Sequence, residues 1–220
     1  CTSLASVDLP KKGVELGGSY HGSSSSDGTF AGCTALKSIV LPDGITGGML
    51  GAPALTEVKF AAGVKKLNGL GGCTALTAVN IPDSVRKIEA NAFSGCTALY
   101  SISVPEGVTT ISNCSFQYCR SLKQVDLPSS LREIGYYAFD SCTTLGSIQL
   151  PADVTEINRG AFSNCTSLES VTLPSNIRSI QSNTFEGCVS LKSIDVPLSV
   201  QSIYQHAFYK CYDLTSATIT

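Results

Sequence analysis

Apolar and polar positions alternate along this chain in short bursts that recur at a fixed interval. In one burst Val171 and Leu173 flank Thr172, with Ser170 before them; in others Ile148 and Leu150 flank Gln149, and Val125 and Leu127 flank Asp126. Two-residue alternation over so short a run predicts a strand with one buried face. A proline follows each burst at once, at Pro82, Pro105, Pro128, Pro151, Pro174 and Pro197. Proline has no N–H to give to a ladder, so the strand stops there and the chain turns. Apolar residues return further on, as at Val154 and Ile157, and predict a second extended stretch. The unit closes on a phenylalanine and then a cysteine, as at Phe162 and Cys165. The small residue before the phenylalanine and the pair before the cysteine suit one tight helical or 3₁₀ turn.

From Cys73 the cysteine recurs every 23 residues, through Cys96, Cys119, Cys142, Cys165 and Cys188 to Cys211. Counting from it, position +3 is leucine from Leu76 to Leu214, and position +20 is phenylalanine from Phe93 to Phe208. A fixed period in the range of about 20 to 50 residues marks a solenoid or similar array. One such coil cannot close a core, but stacked coils bury one another's apolar columns. Ten coils at about 4.8 Å each would make a rod or arc roughly 45–50 Å long.

The amino-terminal third carries the same pattern in worn form. Cys1-Thr-Ser-Leu4 and Cys33-Thr-Ala-Leu36 both begin units, with Leu9-Pro10 and Leu41-Pro42 after them. The first unit exceeds the period by a Gly/Ser-rich insertion at about residues 13–28, which reads as a flexible surface loop. Further on, Ala52 takes the cysteine slot and Leu70 the phenylalanine slot, while Gly47-Gly48 and Gly71-Gly72 read as bends. The whole chain, 1–220, is thus expected to be a single array. Residues 1–72 are irregular, 73–210 form six regular 23-residue repeats, and 211–220 begin another. Thr220 follows a strand with no polar cap after it, so a longer array or protein is expected.

The unit L-x-x-[VI]-x-[VIL]-P, then V-x-x-I, then A-F-x-x-C, closely resembles that of the BspA-like leucine-rich repeat proteins. Leu168-Glu-Ser-Val171-Thr-Leu173-Pro174 and Ala161-Phe162-Ser-Asn-Cys165 carry the likeness, which covers about two-thirds of the chain at full strength. The resemblance implies a right-handed leucine-rich-repeat solenoid, a β/α superhelix rich in short parallel strands with short helical or 3₁₀ turns. It also implies a surface-exposed or secreted protein, as found in host-associated bacteria and some parasitic protists, engaged in adhesion and in binding host or microbial proteins.

Composition narrows the function further. Only 15% of the 220 residues are charged, the formal net charge is −2, and serine plus threonine number 49. That balance argues against an electrostatic binder of nucleic acid or of anionic membrane. No apolar run approaches the roughly 20 residues of a spanning helix, and no charged start leads into an apolar stretch as in a signal peptide. Direct membrane insertion is therefore not expected.

The ten cysteines invite a metal or disulfide reading. There is no C-x-x-C pair, and thiols stacked in a row do not make a tetrahedral cage. Neighbouring coils would hold them with side chains pointing the same way, whereas a bridge needs facing Cβ atoms. A ladder of small buried hydrophobes accounts for them better. Cys114 sits off the column, as an accessible thiol or a plain substitution. Cys1 fits the repeat register, which accounts for it without lipidation.

His21, in the insertion, and His206 are far apart in the array and cannot cluster. No P-loop, G-x-G-x-x-G or H-E-x-x-H string occurs, and no catalytic, cofactor-binding or metal-binding residue is assigned. Asn113-Cys-Ser115 and Asn164-Cys-Thr166 match a glycosylation acceptor and are taken as incidental.

Two sets of positions remain as candidate partner contacts. The polar face of the strands offers Ser101, Ser103, Gln124, Asp126, Ser147, Gln149, Ser170, Thr172, Ser193 and Asp195, a flat hydrogen-bonding surface that either docks a partner or only keeps the face soluble. Phenylalanine occupies core slots, but tyrosine falls at variable positions and is expected outside, notably Tyr136, Tyr137, Tyr204, Tyr209 and Tyr212. Exposed tyrosine supplies large contact area with few rotors; ordinary half-buried tyrosine over coil edges would give the same pattern. The expected function is a non-enzymatic protein-interaction or adhesion module that binds a protein or glycan partner, host-derived ones included, over an extended surface. The alternative is a structural spacer within a larger surface protein.

Overall fold

The computed structural model describes residues 1–10, 13–17, 28–48 and 50–219. Most of the Gly/Ser insertion, with His21, lies outside these residues. Nineteen strands alternate between two sides of a coiled chain. On one side run β1 (Ser6–Asp8), β3 (Ser38–Leu41), β5 (Glu57–Phe60), β7 (Ala78–Val79) and β9 (Ser101–Ser103). The same column continues with β11 (Gln124–Asp126), β13 (Ser147–Ile148), β15 (Ser170–Val171), β17 (Ser193–Val196) and β19 (Ser216–Ile219). These are the alternating bursts of the sequence, and each regular one ends at or just before the proline that follows.

The second column holds the extended stretch that follows each proline. It comprises β2 (Glu15–Leu16), β4 (Thr46–Gly47), β6 (Lys66–Leu67), β8 (Lys87–Ile88) and β10 (Thr110–Ile111). It goes on through β12 (Glu133–Ile134), β14 (Glu156–Ile157), β16 (Ser179–Ile180) and β18 (Ser202–Ile203). All described pairs are parallel and join like positions one coil apart, such as Val125 to Ile102 and Ile134 to Ile157. The chain is a parallel β-solenoid with leucine-rich-repeat architecture.

The column of second strands is bonded continuously from β6 to β14, stops, and resumes as the pair β16–β18. The first column is paired across that point, since β13 pairs β15. Two consecutive coils therefore part on one side of the solenoid while staying joined on the other.

The expected helical or 3₁₀ turn is corrected by the structure: among the described residues the segment before each cysteine is a run of hydrogen-bonded turns without helix. Positions +18 and +22 are left-handed. Asn91, Cys114, Tyr137, Asn183 and His206 at +18 have φ between 54° and 62°, with Gly160 at 65° in the same slot. Every second N–H then points to the next coil instead of back along its own. In one turn Tyr137, Phe139 and Ser141 donate to the carbonyls of Arg159, Ala161 and Ser163, while Ala138, Asp140 and Cys142 donate three residues back. A 3₁₀ helix needs consecutive bonds of the second kind. The turn thus spends half its donors on joining coils.

Inside, the columns at +3, +12, +15 and +20 form one core. Leu76, Leu99, Leu122, Leu145, Leu168 and Leu191 are fully buried. Phe93 through Phe208 stack with centroids 5.2 to 5.7 Å apart and planes within 8°. Those distances exceed one strand spacing of about 4.8 Å, so the rings slip sideways into the offset arrangement that their quadrupoles favour. Phe30 and Phe60, in the worn units, are half-buried. Gly47 is a strand residue rather than a bend, and a Cβ there would lie 2.3 Å from the Leu16 carbonyl.

The cysteines from Cys33 to Cys188 that belong to the column are buried and all ten thiols are free. They are more than small hydrophobes. Cys96, Cys119, Cys142, Cys165, Cys188 and Cys211 each point Sγ at a main-chain carbonyl 26 residues earlier, at 3.1 to 3.2 Å. The carbonyl of Phe93 takes the N–H of Cys96 in its own turn and the thiol of Cys119 from the next coil. A carbonyl has two lone pairs, and the thiol meets the second one while adding apolar volume.

Candidate interaction surface

The parallel register sets like positions side by side, so the polar residues of the first column form rows. Gln124 lies opposite Ser101, Asp126 opposite Ser103, Ser170 opposite Ser147, and Asp195 opposite Thr218. Ser103, Gln124, Asp126, Ser147, Gln149, Ser170, Thr172, Ser193 and Asp195 are exposed, and Ser101 is half-buried. Asp195 accepts a hydrogen bond from the Thr218 hydroxyl. Asp126 and Asp195 are the charges among these ten positions; the others are hydroxyls and amides, which both donate and accept.

One position before the strands runs a row of larger groups. The Lys123 ammonium lies 5.8 Å from the centroid of the Tyr100 ring. The Lys192 ammonium is 2.6 Å from the Glu169 carboxylate, which holds that carboxyl below its usual range and raises the lysine. Both partners are well exposed, so the pair shapes the surface more than it stabilises it.

The tyrosines do not join this face. Tyr136, Tyr137, Tyr204 and Tyr209 belong to the turns between +16 and +21, about half a coil away from the strand face in either direction along the chain. Tyr136, Tyr204, Tyr209 and Tyr212 are exposed, Tyr212 at 74%. Tyr137 is half-buried, and its ring covers Gly160 of the next coil so closely that a Cβ there would lie 2.3 Å away. The two candidate sets are therefore separate surfaces, and Tyr137 is also part of the coil-to-coil contact.

Cys114 occupies the left-handed +18 slot and is half-buried; burial and the nearby Asp140 carboxylate push its thiol up. Asp140 itself was not singled out by the sequence. It is buried, and it accepts from Gln117 Nε2 at 2.9 Å and Asn164 Nδ2 at 3.1 Å, residues one coil before and one coil after. Its column reads as solvated turn, since Ser94, Gln117, Ser163 and Glu186 share it. His206 faces the Tyr209 ring at 5.1 Å. Among the described residues no three metal-ligating side chains cluster, and no helix is long and apolar enough to cross a membrane.

The sequence matches the BspA type leucine rich repeat region, in six copies, over residues 68–165 and 134–220. No curated protein matches it. Among solved structures, the chain is similar to the Treponema pallidum leucine rich repeat protein TpLRR, with 33% identity, 80% of this chain and 77% of that one covered, and a TM-score of 0.66. It also shares its fold with a leucine-rich repeat protein from Eubacterium ventriosum, at 16% identity, 84% and 64% coverage and a TM-score of 0.52.

Proposed function

The chain belongs to the BspA-type leucine-rich repeat family, and from that premise we propose that it is an adhesive protein-binding module of a cell-surface or secreted protein. Repeat proteins of this family and fold are interaction modules and typically not enzymes. The observation that carries the finer reading is the face of the first strand column. Its rows of Ser, Thr, Gln and Asp repeat at strand spacing on a rigid support, with few charges and few long side chains to immobilise. Such a surface loses little entropy on docking and offers donors and acceptors at regular intervals to a flat protein partner.

The test is adhesion of the whole chain to immobilised extracellular-matrix proteins and to cultured epithelial cells. Charged bulk placed on the face, as in the triple variant S147R/S170R/S193R, should lower adhesion at least about tenfold with an unchanged melting temperature, because like positions are exposed and make no core contact. A second variant, Y136A/Y204A/Y209A, reports on the other surface. Adhesion that survives both variants intact would favour a spacer over a binding module.

A further inference from the structure

Between β14 and β16 the solenoid opens into a cleft of about 610 Å³ lined by Thr155, Glu156, Asn158, Asn176, Arg178 and Gln181 among others. That volume lies within the roughly 300–1,000 Å³ of pockets that hold small molecules. Its cause is the missing ladder. In the coil before, the N–H groups of Thr155 and Asn158 donate to the carbonyls of Arg132 and Ile134. In the coil after, Gln201 and Tyr204 donate to Arg178 and Ile180. The counterparts across the cleft would be Arg178 to Thr155 and Gln181 to Ile157, and neither bond exists among the described residues. One wall thus presents two free carbonyls and the other two free N–H groups. Unpaired main-chain groups cost free energy unless water or a ligand meets them.

The side chains point the same way. Arg86, Arg132 and Arg178 share position +13. Arg86 and Arg132 turn Nη1 back onto carbonyls of their own coil, at 2.6 to 3.1 Å. Arg178 makes no such bond and no ion pair among the described residues, and neither does Glu156 have an ionic partner. Asn176 Nδ2 reaches the Ala152 carbonyl at 3.1 Å at one end of the cleft. Gly160 donates to the Ser182 carbonyl at 3.0 Å at the other.

These two ties limit the occupant. A peptide strand threaded between β14 and β16 would need about two strand spacings and would collide with both. An anion accepts only, leaving the Thr155 and Ile157 carbonyls unmet; an ammonium donates only, leaving the Arg178 and Gln181 amides unmet. A hydroxyl does both. We propose that this cleft is a saccharide-binding site, in which ring hydroxyls of a pyranose bridge the two walls and Glu156, Arg178 and the amide side chains set the orientation. The site is on a different side of the coil from the protein-binding face and stands or falls independently of it.

The experiment is NMR of the whole chain titrated separately with glucose, galactose, mannose, N-acetylglucosamine and N-acetylneuraminic acid, with inorganic phosphate as the control anion. At least one sugar should shift the amide signals of Arg178 and Gln181 while those of Gln201 and Tyr204, already bonded, stay in place. R178A/Q181A should weaken that sugar about tenfold or more, since a hydrogen-bonded polar group left unpaired costs on the order of one tenfold step, and K59A, far along the solenoid, should not. The substituted side chains project to solvent, and an unchanged melting curve shows the variant is folded. Shifts with phosphate and none with any sugar, no response to any sugar, or a sugar response that R178A/Q181A leaves unchanged would overturn the proposal.

Discussion

At the scale of single residues, two columns carry the stability of the array. Phe139 lies between Phe116 and Phe162 and is fully buried. F139A should cost about 3–5 kcal/mol by denaturant unfolding, whereas Y136A on the surface should stay within about 0.5 kcal/mol. The cysteine column makes stability depend on pH. Burial pushes Cys73 up to about 12 and Cys211 up to about 11, and Cys96, Cys119, Cys142, Cys165 and Cys188 also go up. Above the ordinary thiol value of about 9 the unfolded chain loses protons that the folded chain keeps, so unfolding gains. The contribution is complete below about pH 9 and is lost as pH rises through about 11 to 12. Melting temperatures should therefore fall steeply above about pH 9, and a C119A/C142A variant should show a shallower fall. The burial of these thiols was legible in their 23-residue spacing. Their bonds to carbonyls 26 residues back were not, because spacing reports which residues stack and not where a thiol hydrogen points.

At the scale of the element, the strands were readable from alternation and proline, and the turns were not. A tight apolar-aromatic segment such as Ala138-Phe139 fits a helical turn when its neighbours are ignored. The turn is decided by N–H groups that bond across coils, through partners 22 residues away, as with Phe139 and Ala161. The left-handed slots show the price in residue choice. Gly160 holds φ 65° beneath the Tyr137 ring, so G160A meets both backbone strain and a clash and should destabilise by about 2 kcal/mol or more in thermal or denaturant unfolding. N183G, in the same slot one coil on, removes a left-handed side chain and should be neutral within about 0.5 kcal/mol. The break between β14 and β16 was equally invisible beforehand, since Thr155, Ile157, Arg178 and Ile180 all keep the repeat pattern.

At the scale of the whole molecule, each coil is held by its neighbours, so protection should vary along the axis. Ile134 is fully buried, whereas Ile203, its equivalent in the last complete coil, is 54% exposed. Leu198 is 79% exposed beside it. Hydrogen exchange should be slowest in β8 to β12 and fastest in β18 and β19, with β16 intermediate because its ladder is bonded on one side only. Uniform protection from β8 to β19 would contradict a nearest-neighbour solenoid. The bonds that join coils also set how such a molecule can change length. Thiol to carbonyl, turn to turn and strand to strand, they connect positions separated by one period or by one period and a fixed few residues. Copying residues 119–141 in tandem would leave each of those separations intact and extend the solenoid by one coil, about 4.8 Å. Adding a single residue inside a unit would put all of them out of step at once. The molecule is thus built to be lengthened in whole paragraphs of sequence and not letter by letter.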